Sequence, residues 1–217
     1  MKKLRSVCFD FDGTLIDTIP LIIESYQYVY REIGKYVPTE DEIISGIGLP
    51  LETIFAQDFP AEQIPEALEM YLDYNRPRLA SHVAIYLGII PLLEALSSLD
   101  LKLGIVTAKR GSDMVPTMRA FRLEKYFDTI VSKFDTEEHK PKPAPLYLAM
   151  ERLEISDPQE LLYIGDAIYD IQSANNAGCL SGAVAWSNTS REKLQAQSPT
   201  VFFDQWQDIL EFVKKRI

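Results

Sequence analysis

Two cysteines and two histidines among 217 residues leave little room for thiol or imidazole chemistry. Cys8 and Cys179 lie far apart in the chain, with neither the spacing of a disulfide framework nor that of a metal site, and are expected to be small buried thiols. His82 and His139 have no neighbour in sequence that would complete a metal pair or a triad. No apolar run approaches the roughly 20 residues that span a bilayer, and the first residues lack the apolar stretch of a signal peptide. The expectation is a soluble, cytoplasmic protein with no membrane partner. Basic residues are in the minority, 22 Lys and Arg against 32 Asp and Glu, and a net charge of −10 speaks against a nucleic-acid partner. An anionic substrate would therefore have to be held by local positive groups. Neither repeats nor low-complexity linkers occur.

What is present is organised around Asp10-Phe11-Asp12-Gly13-Thr14-Leu15-Ile16-Asp17. The apolar run Val7-Cys8-Phe9 before it reads as a buried strand, so Asp10 and Asp12 fall where a strand gives way to a loop. In a parallel sheet that edge is where ligands bind. Gly13 allows a sharp turn after two acidic residues, whose closeness is costly unless a cation or a shared proton relieves it.

From residue 16 to about 83 the pattern is helical throughout. Pro20 reads as a first-turn proline, and Leu21, Ile22, Tyr26, Val29 and Ile33 recur at helical spacing up to Gly34. Thr39 and Glu42 form a capping-box pattern for a short helix that stops at Gly46. A loop over 46–50 leads into a helix from Leu51, and a longer helix is expected over 61–81. Beyond Gly88 strands and helices alternate: helix 91–99, strand 103–106, helix 112–121, strand 129–131, helix 145–153, strand 161–164, helix 171–177, strands 182–185 and 201–203, and helix 206–214. Such alternation implies a doubly wound parallel sheet covered on both faces. The expected division is an α/β core, residues 1–15 and 84–217, with an inserted all-helical cap, residues 16–83, joined by hinges near 15–18 and 83–88.

Four polar signals stand at the ends of predicted strands. Asp10-x-Asp12 is the first. Thr107 follows Leu103-Gly104-Ile105-Val106 and, taken alone, reads as a cap or turn residue. Lys140 stands in Lys140-Pro141-Lys142-Pro143-Ala144-Pro145, which by itself is an extended segment. Lys142 also satisfies Lys-Pro-x-Pro, but only Lys140 completes the longer pattern to Pro145. Last comes Gly165-Asp166-Ala167-Ile168-Tyr169-Asp170, with carboxylates four apart that share a face if a helix starts there, or with Asp166 as an N-cap.

In this order the four signals resemble the motifs of the haloacid dehalogenase superfamily of phosphatases, over essentially the whole chain. The helical insertion between the first and second motifs resembles the subclass of the phosphoglycolate phosphatases and β-phosphoglucomutases. Ile47-Gly48-Leu49-Pro50-Leu51, the run from Lys140 to Pro145, and Val184-Ala185-Trp186 look most like its bacterial pyrophosphatase branch and the neighbouring phosphoglycolate phosphatases.

The resemblance implies a Rossmann-like core and a Mg²⁺-dependent phosphohydrolase for a small phosphorylated metabolite. Asp10 would be the nucleophile that forms an aspartyl-phosphate, and Asp12 the general acid and base. Mg²⁺ would take oxygens of Asp10, Asp166 and the main chain of Asp12. Thr107 would bond a phosphoryl oxygen, Lys140 would neutralise charge, and Asp170 would orient Lys140 or a metal-bound water. Phe11 and Ala108 are expected at the phosphate, Ala108 through its N–H where many relatives carry Asn or Ser. Gly48 and Leu49 of the cap loop are expected at the leaving group.

Lys109 and Arg110 read as exposed loop bases or as a source of positive potential near the entrance, Arg76 and Arg78 as solvated helix-end charges or contacts to a distal anion, and Tyr26, Tyr28 and Tyr30 as packing within the cap. A phosphosugar mutase shares the nucleophile and acid, although Gly13-Thr14-Leu15 resembles the hydrolases better. The metal-independent dehalogenases would not need Asp12, Asp166 and Asp170 together. A phosphoryl-accepting receiver module would be roughly half this length and lack the insertion. Nothing in the sequence decides between a monomer and a dimer.

Overall fold

The structure, a computed structural model, describes residues 2–217. The chain runs β1 (Ser6–Phe9), β2 (Ile16–Asp17), α1 (Ile19–Glu32), α2 (Glu40–Gly46), α3 (Leu51–Asp58), α4 (Ile64–Asn75), β3 (Ala84–Ile85) and α5 (Ile89–Ser97). It continues through β4 (Lys102–Val106), α6 (Gly111–Ala120), β5 (Thr129–Val131), α7 (Ala144–Arg152), β6 (Leu161–Gly165), α8 (Ile168–Ala177), β7 (Leu180–Val184), α9 (Arg191–Gln195), β8 (Val201–Phe203) and α10 (Trp206–Lys214).

Six strands form one parallel sheet in the order β5-β4-β1-β6-β7-β8. Along β1 the side chains alternate between two cores. Val7 and Phe9 pack with Ile105, Ile164, Leu92 and Met114 on one face, while Cys8 packs with Val106, Tyr163, Leu146 and Ala174 on the other. Every residue of β1 is buried, as a central strand covered by helices on both sides requires. The expected doubly wound α/β fold is present.

Register then places the chemistry. Phe9 is level with Ile105 of β4 and Ile164 of β6, so the three central strands end together and release Asp10, Thr107 and Asp166 at one edge. β1 is also where the strand order reverses, with β4 and β5 laid to one side and β6 onward to the other.

Between β2 and β3 the chain is helical and has a hydrophobic cluster of its own, built from Tyr26, Val29, Tyr30, Ile43, Phe55, Phe59, Ala67 and Tyr71. Tyr26 and Tyr30 pack there as expected, with ring centroids 5.2 and 6.4 Å from that of Phe55. The Thr39 capping box opens α2 as read from the sequence, with Glu42 N–H donating to Thr39 Oγ1 and Thr39 N–H donating back to Glu42.

Three expectations need correction. The stretch from residue 16 is not helical from its start: Ile16 pairs with Ile85 and Asp17 with Ala84 as a short antiparallel ribbon. The helix expected over 61–81 covers only α4, because Pro77 interrupts it and the chain passes into a 3₁₀ turn at Arg76–Arg78. The short helix α9 carries no apolar periodicity beyond the buried Leu194 and was not anticipated.

Candidate active site

Asp10 is the first residue past β1, and its N–H extends the ladder by donating to Ile164 O at 2.8 Å. The loop then reverses over Gly13 at φ +81, a conformation that favours glycine. A side chain here would run into the carboxylate of Asp166, so the absence of one is what lets the loop close onto β6. Thr14 next to it donates from Oγ1 to Asp166 Oδ1 at 2.7 Å, and Trp186 Nε1 donates to Thr14 O at 3.1 Å. Thus Trp186, one of the residues behind the family resemblance, holds the loop after β1 in place.

Asp166 precedes α8 instead of lying in it, so the expected sharing of a helix face with Asp170 is corrected: α8 begins at Ile168 with Ala167 as its N-cap. The two carboxylates meet all the same, and with Asp10 they offer oxygens within 4.8 Å of one another, all three buried. Asp170 has both oxygens engaged. Oδ2 accepts from Ala167 N–H at 2.9 Å, and Oδ1 accepts from Lys140 Nζ at 2.6 Å and from the Tyr163 hydroxyl at 3.1 Å.

The two lysine candidates lie in different surroundings. Lys140 is 3% exposed, with Nζ 3.1 Å from Asp10 Oδ1 and 3.2 Å from the Tyr163 hydroxyl. Lys142 is exposed. Tyr163 was not anticipated as part of this cluster. Its hydroxyl also lies 2.7 Å from Val106 O, so it fastens the lysine and the aspartate to the end of β4. The only trace in the sequence is a polar-tipped residue on the inward face of an otherwise aliphatic strand.

Thr107 is buried past β4, and its hydroxyl oxygen accepts from Lys109 N–H at 3.2 Å, which leaves the hydroxyl proton free to donate. It is no helix cap, since α6 begins only at Gly111. Asp12 accepts from Thr18 Oγ1 at 2.7 Å and from Lys109 Nζ at 2.8 Å. Lys109 and Arg110 are therefore not exposed loop bases; both line the cleft, where the alternative reading put their charge. Lys109 is bound to Asp12, and Arg110 Nη2 is 2.9 Å from Glu52 Oε1. Arg76 pairs at 2.7 Å with Asp113, which lines the cleft, whereas Arg78 donates to Tyr74 O at 2.6 Å and stacks on that ring.

Burial and the neighbouring carboxylates of Asp170 and Asp12 push Asp10 up to about 7 despite the pull of Lys140. Burial, Asp170 and Asp10 push Asp166 well above the usual carboxylate range. Burial alone would lower Lys140, but Asp10 and Asp170 keep it above its ordinary value. One ammonium thus faces three carboxylates. Oδ1 of Asp10 is buried without a hydrogen bond, since Lys140 lies within ion-pair range but out of line. An orphaned carboxylate oxygen inside an oxygen-only, overly acidic cluster fits a hard divalent cation.

The cleft above these groups is lined by Asp10, Asp12, Thr107 and Ala108 from the sheet edge and by Gly48, Leu49 and Tyr26 from the helical layer. Gly48, at φ +100, brings its loop against Ala167 and Tyr169, and Tyr169 donates to Ser45 O at 3.2 Å. Phe11 can meet a ligand only through its main chain. Its side chain is fully buried in the sheet core, and its N–H turns to the carboxylate of Asp10.

A parallel sheet that releases carboxylates, a hydroxyl and a buried lysine at its switch point, under a helical layer, defines a doubly wound α/β protein with a ligand cleft at that edge. The chain belongs to the haloacid dehalogenase-like hydrolase family, whose model matches residues 7–184. It is 36% identical to a candidate pyrophosphatase PpaX of Caldanaerobacter subterraneus, across 98% of this chain and 96% of that one. Identity to the pyrophosphatase PpaX of Bacillus velezensis is 32%, across 96% of each. A solved Lactobacillus plantarum structure, described as a candidate phosphoglycolate phosphatase, superposes with a TM-score of 0.87 at 28% identity, over 97% of this chain and 99% of the other. No helix among the described residues is long and apolar enough to cross a membrane.

Proposed function

We propose that this hydrolase is a Mg²⁺-dependent phosphohydrolase that cleaves a small phosphorylated metabolite, pyrophosphate or a phosphoglycolate-like ester, through an aspartyl-phosphate. The observation that carries the reading is the buried Asp10 carboxylate at the cleft floor, with Lys140 beside it and a second carboxylate, Asp12, two residues on. The names of the PpaX relatives and of the Lactobacillus plantarum structure support the substrate class.

Asp10, Asp166 and the main-chain carbonyl of Asp12 would hold the metal, and three buried carboxylates with one orphaned oxygen support that assignment. The ion supplies the positive charge that lets one anion approach another. Asp10 attacks phosphorus in line, and the bond to the leaving oxygen breaks. Asp12 gives that oxygen its proton and then takes one from water, so that the phosphoryl–Asp10 bond is hydrolysed and the carboxylate restored. Such acid–base help is typically worth about 10²–10⁴ in rate. Thr107 donates its free hydroxyl proton to a phosphoryl oxygen, as does the N–H of Ala108. Lys140 offsets charge on Asp10 and the phosphoryl group, and Asp170 and Tyr163 hold it there. Residues 16–83 act as the cap, with Gly48 and Leu49 at the leaving group, and the β2–β3 ribbon is its double hinge. A cytoplasmic location suits this chemistry.

Phosphate release is measured on pyrophosphate, phosphoglycolate, hexose phosphates, nucleotides and an aryl phosphate, with and without Mg²⁺. Metal-dependent turnover that Asp10→Asn abolishes is expected. Equal turnover by Asp10→Asn, or none at all from folded wild-type protein, would refute the reading.

A further inference from the structure

The cations around the cleft are not equally engaged. Lys109 is taken up by Asp12, and Lys140 by Asp10 and Asp170. Arg110, the N-cap of α6, and Lys133, just past β5, share a single carboxylate, that of Glu52 in the first turn of α3. Arg110 reaches Oε1, and Lys133 contacts Oε2. Two cations against one carboxylate leave a positive charge in excess. Lys133 is nevertheless 8% exposed, and a charge so buried is costly unless something pairs with it. Arg110 Nε is buried as well and has no hydrogen-bond partner. The protein leaves a charged donor unused at a place where unused donors are expensive.

Their location gives the excess a use. Arg110, Lys133 and Glu52 line the same cleft as Asp10 and Asp12. Lys133 N–H donates to Lys109 O at 3.0 Å, which ties the loop after β5 to the loop after β4 that carries Thr107 and Ala108. Both cations lie near the face of Phe134, 5.6 and 5.1 Å from its centroid, which further limits their freedom. The pair is thus fixed to the sheet edge, not to the loop at 46–50.

We infer that Arg110 and Lys133 form a subsite for a second anionic group of the substrate, on the leaving-group side of the phosphoryl that Asp10 attacks. The ligand class is a compact phosphate with a further phosphoryl or carboxylate group. Glu52 spaces the two cations and neutralises one of them. The inference rests on the phosphohydrolase reading above and gives recognition of the leaving group's charge to the core, whereas the cap loop reads its shape.

The test compares wild type with Lys133→Met and Arg110→Leu. One measurement is kcat/KM for pyrophosphate and for phosphoglycolate relative to that for an aryl phosphate with no second charge. The other is calorimetric binding of methylenediphosphonate against methylphosphonate. Each variant should lower the ratio of the doubly anionic substrates to the aryl phosphate about tenfold or more, as loss of a hydrogen bond to a charged group does. The diphosphonate's advantage should shrink by a similar factor. Whichever of pyrophosphate and phosphoglycolate falls further identifies the second group as phosphoryl or carboxylate. Unchanged ratios, whether both rates fall together or neither falls, would overturn the subsite. Folded wild-type protein that turns over none of the phosphates would refute the phosphohydrolase reading instead, and the two phosphonates would still decide the subsite.

Discussion

Lys109 Nζ lies 2.8 Å from Oδ1 and 3.2 Å from Oδ2 of Asp12, so one ammonium spans both oxygens of the proposed acid and base. Thr18 Oγ1 shares the first of them at 2.7 Å. Asp12 is thereby held by a residue 97 positions away, from the loop after the neighbouring strand. Lys109→Met should leave the fold intact and release the carboxylate from one of its two supports. We expect kcat to fall about tenfold on every substrate, a loss of about 1.4 kcal/mol in transition-state stabilisation. Steady-state kinetics check this, and a rise in KM with kcat unchanged would place Lys109 on the substrate.

Lys140 and Lys142 separate most sharply by stability. Removing Lys140 leaves Asp10 and Asp170 buried without their shared cation, and breaking such a pair costs roughly 3–5 kcal/mol. The exposed Lys142 should change stability by no more than about 0.5 kcal/mol. Denaturant midpoints of Lys140→Ala and Lys142→Ala measure the contrast. Turnover should vanish in the first and survive in the second.

The strands and their terminal residues were legible because a parallel sheet makes both explicit. Short apolar runs such as Leu103-Gly104-Ile105-Val106, set between helical patterns, read as buried strands, and in a parallel sheet the polar residue after each emerges at the ligand edge. What stayed hidden depended on contacts between loops distant in sequence. Lys109 and Arg110 look like free bases because their partners, Asp12 and Glu52, lie on other elements 97 and 58 positions away. Tyr163 reads as one more strand residue until the fold sets Lys140 beside it. Phe11 was assigned to the phosphate by its place in a motif, yet the alternation of β1 continues through it and sends the ring into the core.

Gly13 couples backbone conformation to the acidic cluster. Alanine there must adopt φ +81 and would also meet the Asp166 carboxylate, so strain and displacement act together. Conformational strain of this kind costs of order 1–3 kcal/mol. A shifted Asp166 also loses its bond from Thr14. Gly13→Ala should therefore lower the melting temperature and weaken Mg²⁺ binding at least about tenfold, an expected second effect because the residues that orient a ligand tune its affinity. Calorimetric titration with Mg²⁺ tests it, and an unchanged affinity would remove Asp166 from the metal site.

Glu52 gives a pH signature that does not involve the catalytic carboxylates. Burial alone would raise its pKa, but bonds from Lys133, from its own main-chain N–H and from Arg110 outweigh that and hold it below the usual 4.5. Because the folded value lies below the unfolded one, the ionised group stabilises the protein above the unfolded value, and that stability is lost as pH falls through the folded value. His139, which burial and Lys133 hold below its usual value against the pull of Glu52, is pushed lower still when Glu52 loses its charge, while the buried Tyr26 faces the cluster in both proteins. Wild type should thus melt above Glu52→Gln at about pH 8, by a margin that widens as pH falls through the His139 range and closes towards about pH 3 as Glu52 is protonated. Melting curves of the two proteins across that range measure it. A margin that stays the same in acid would mean that Glu52 supports the α3 contact by packing, not by charge.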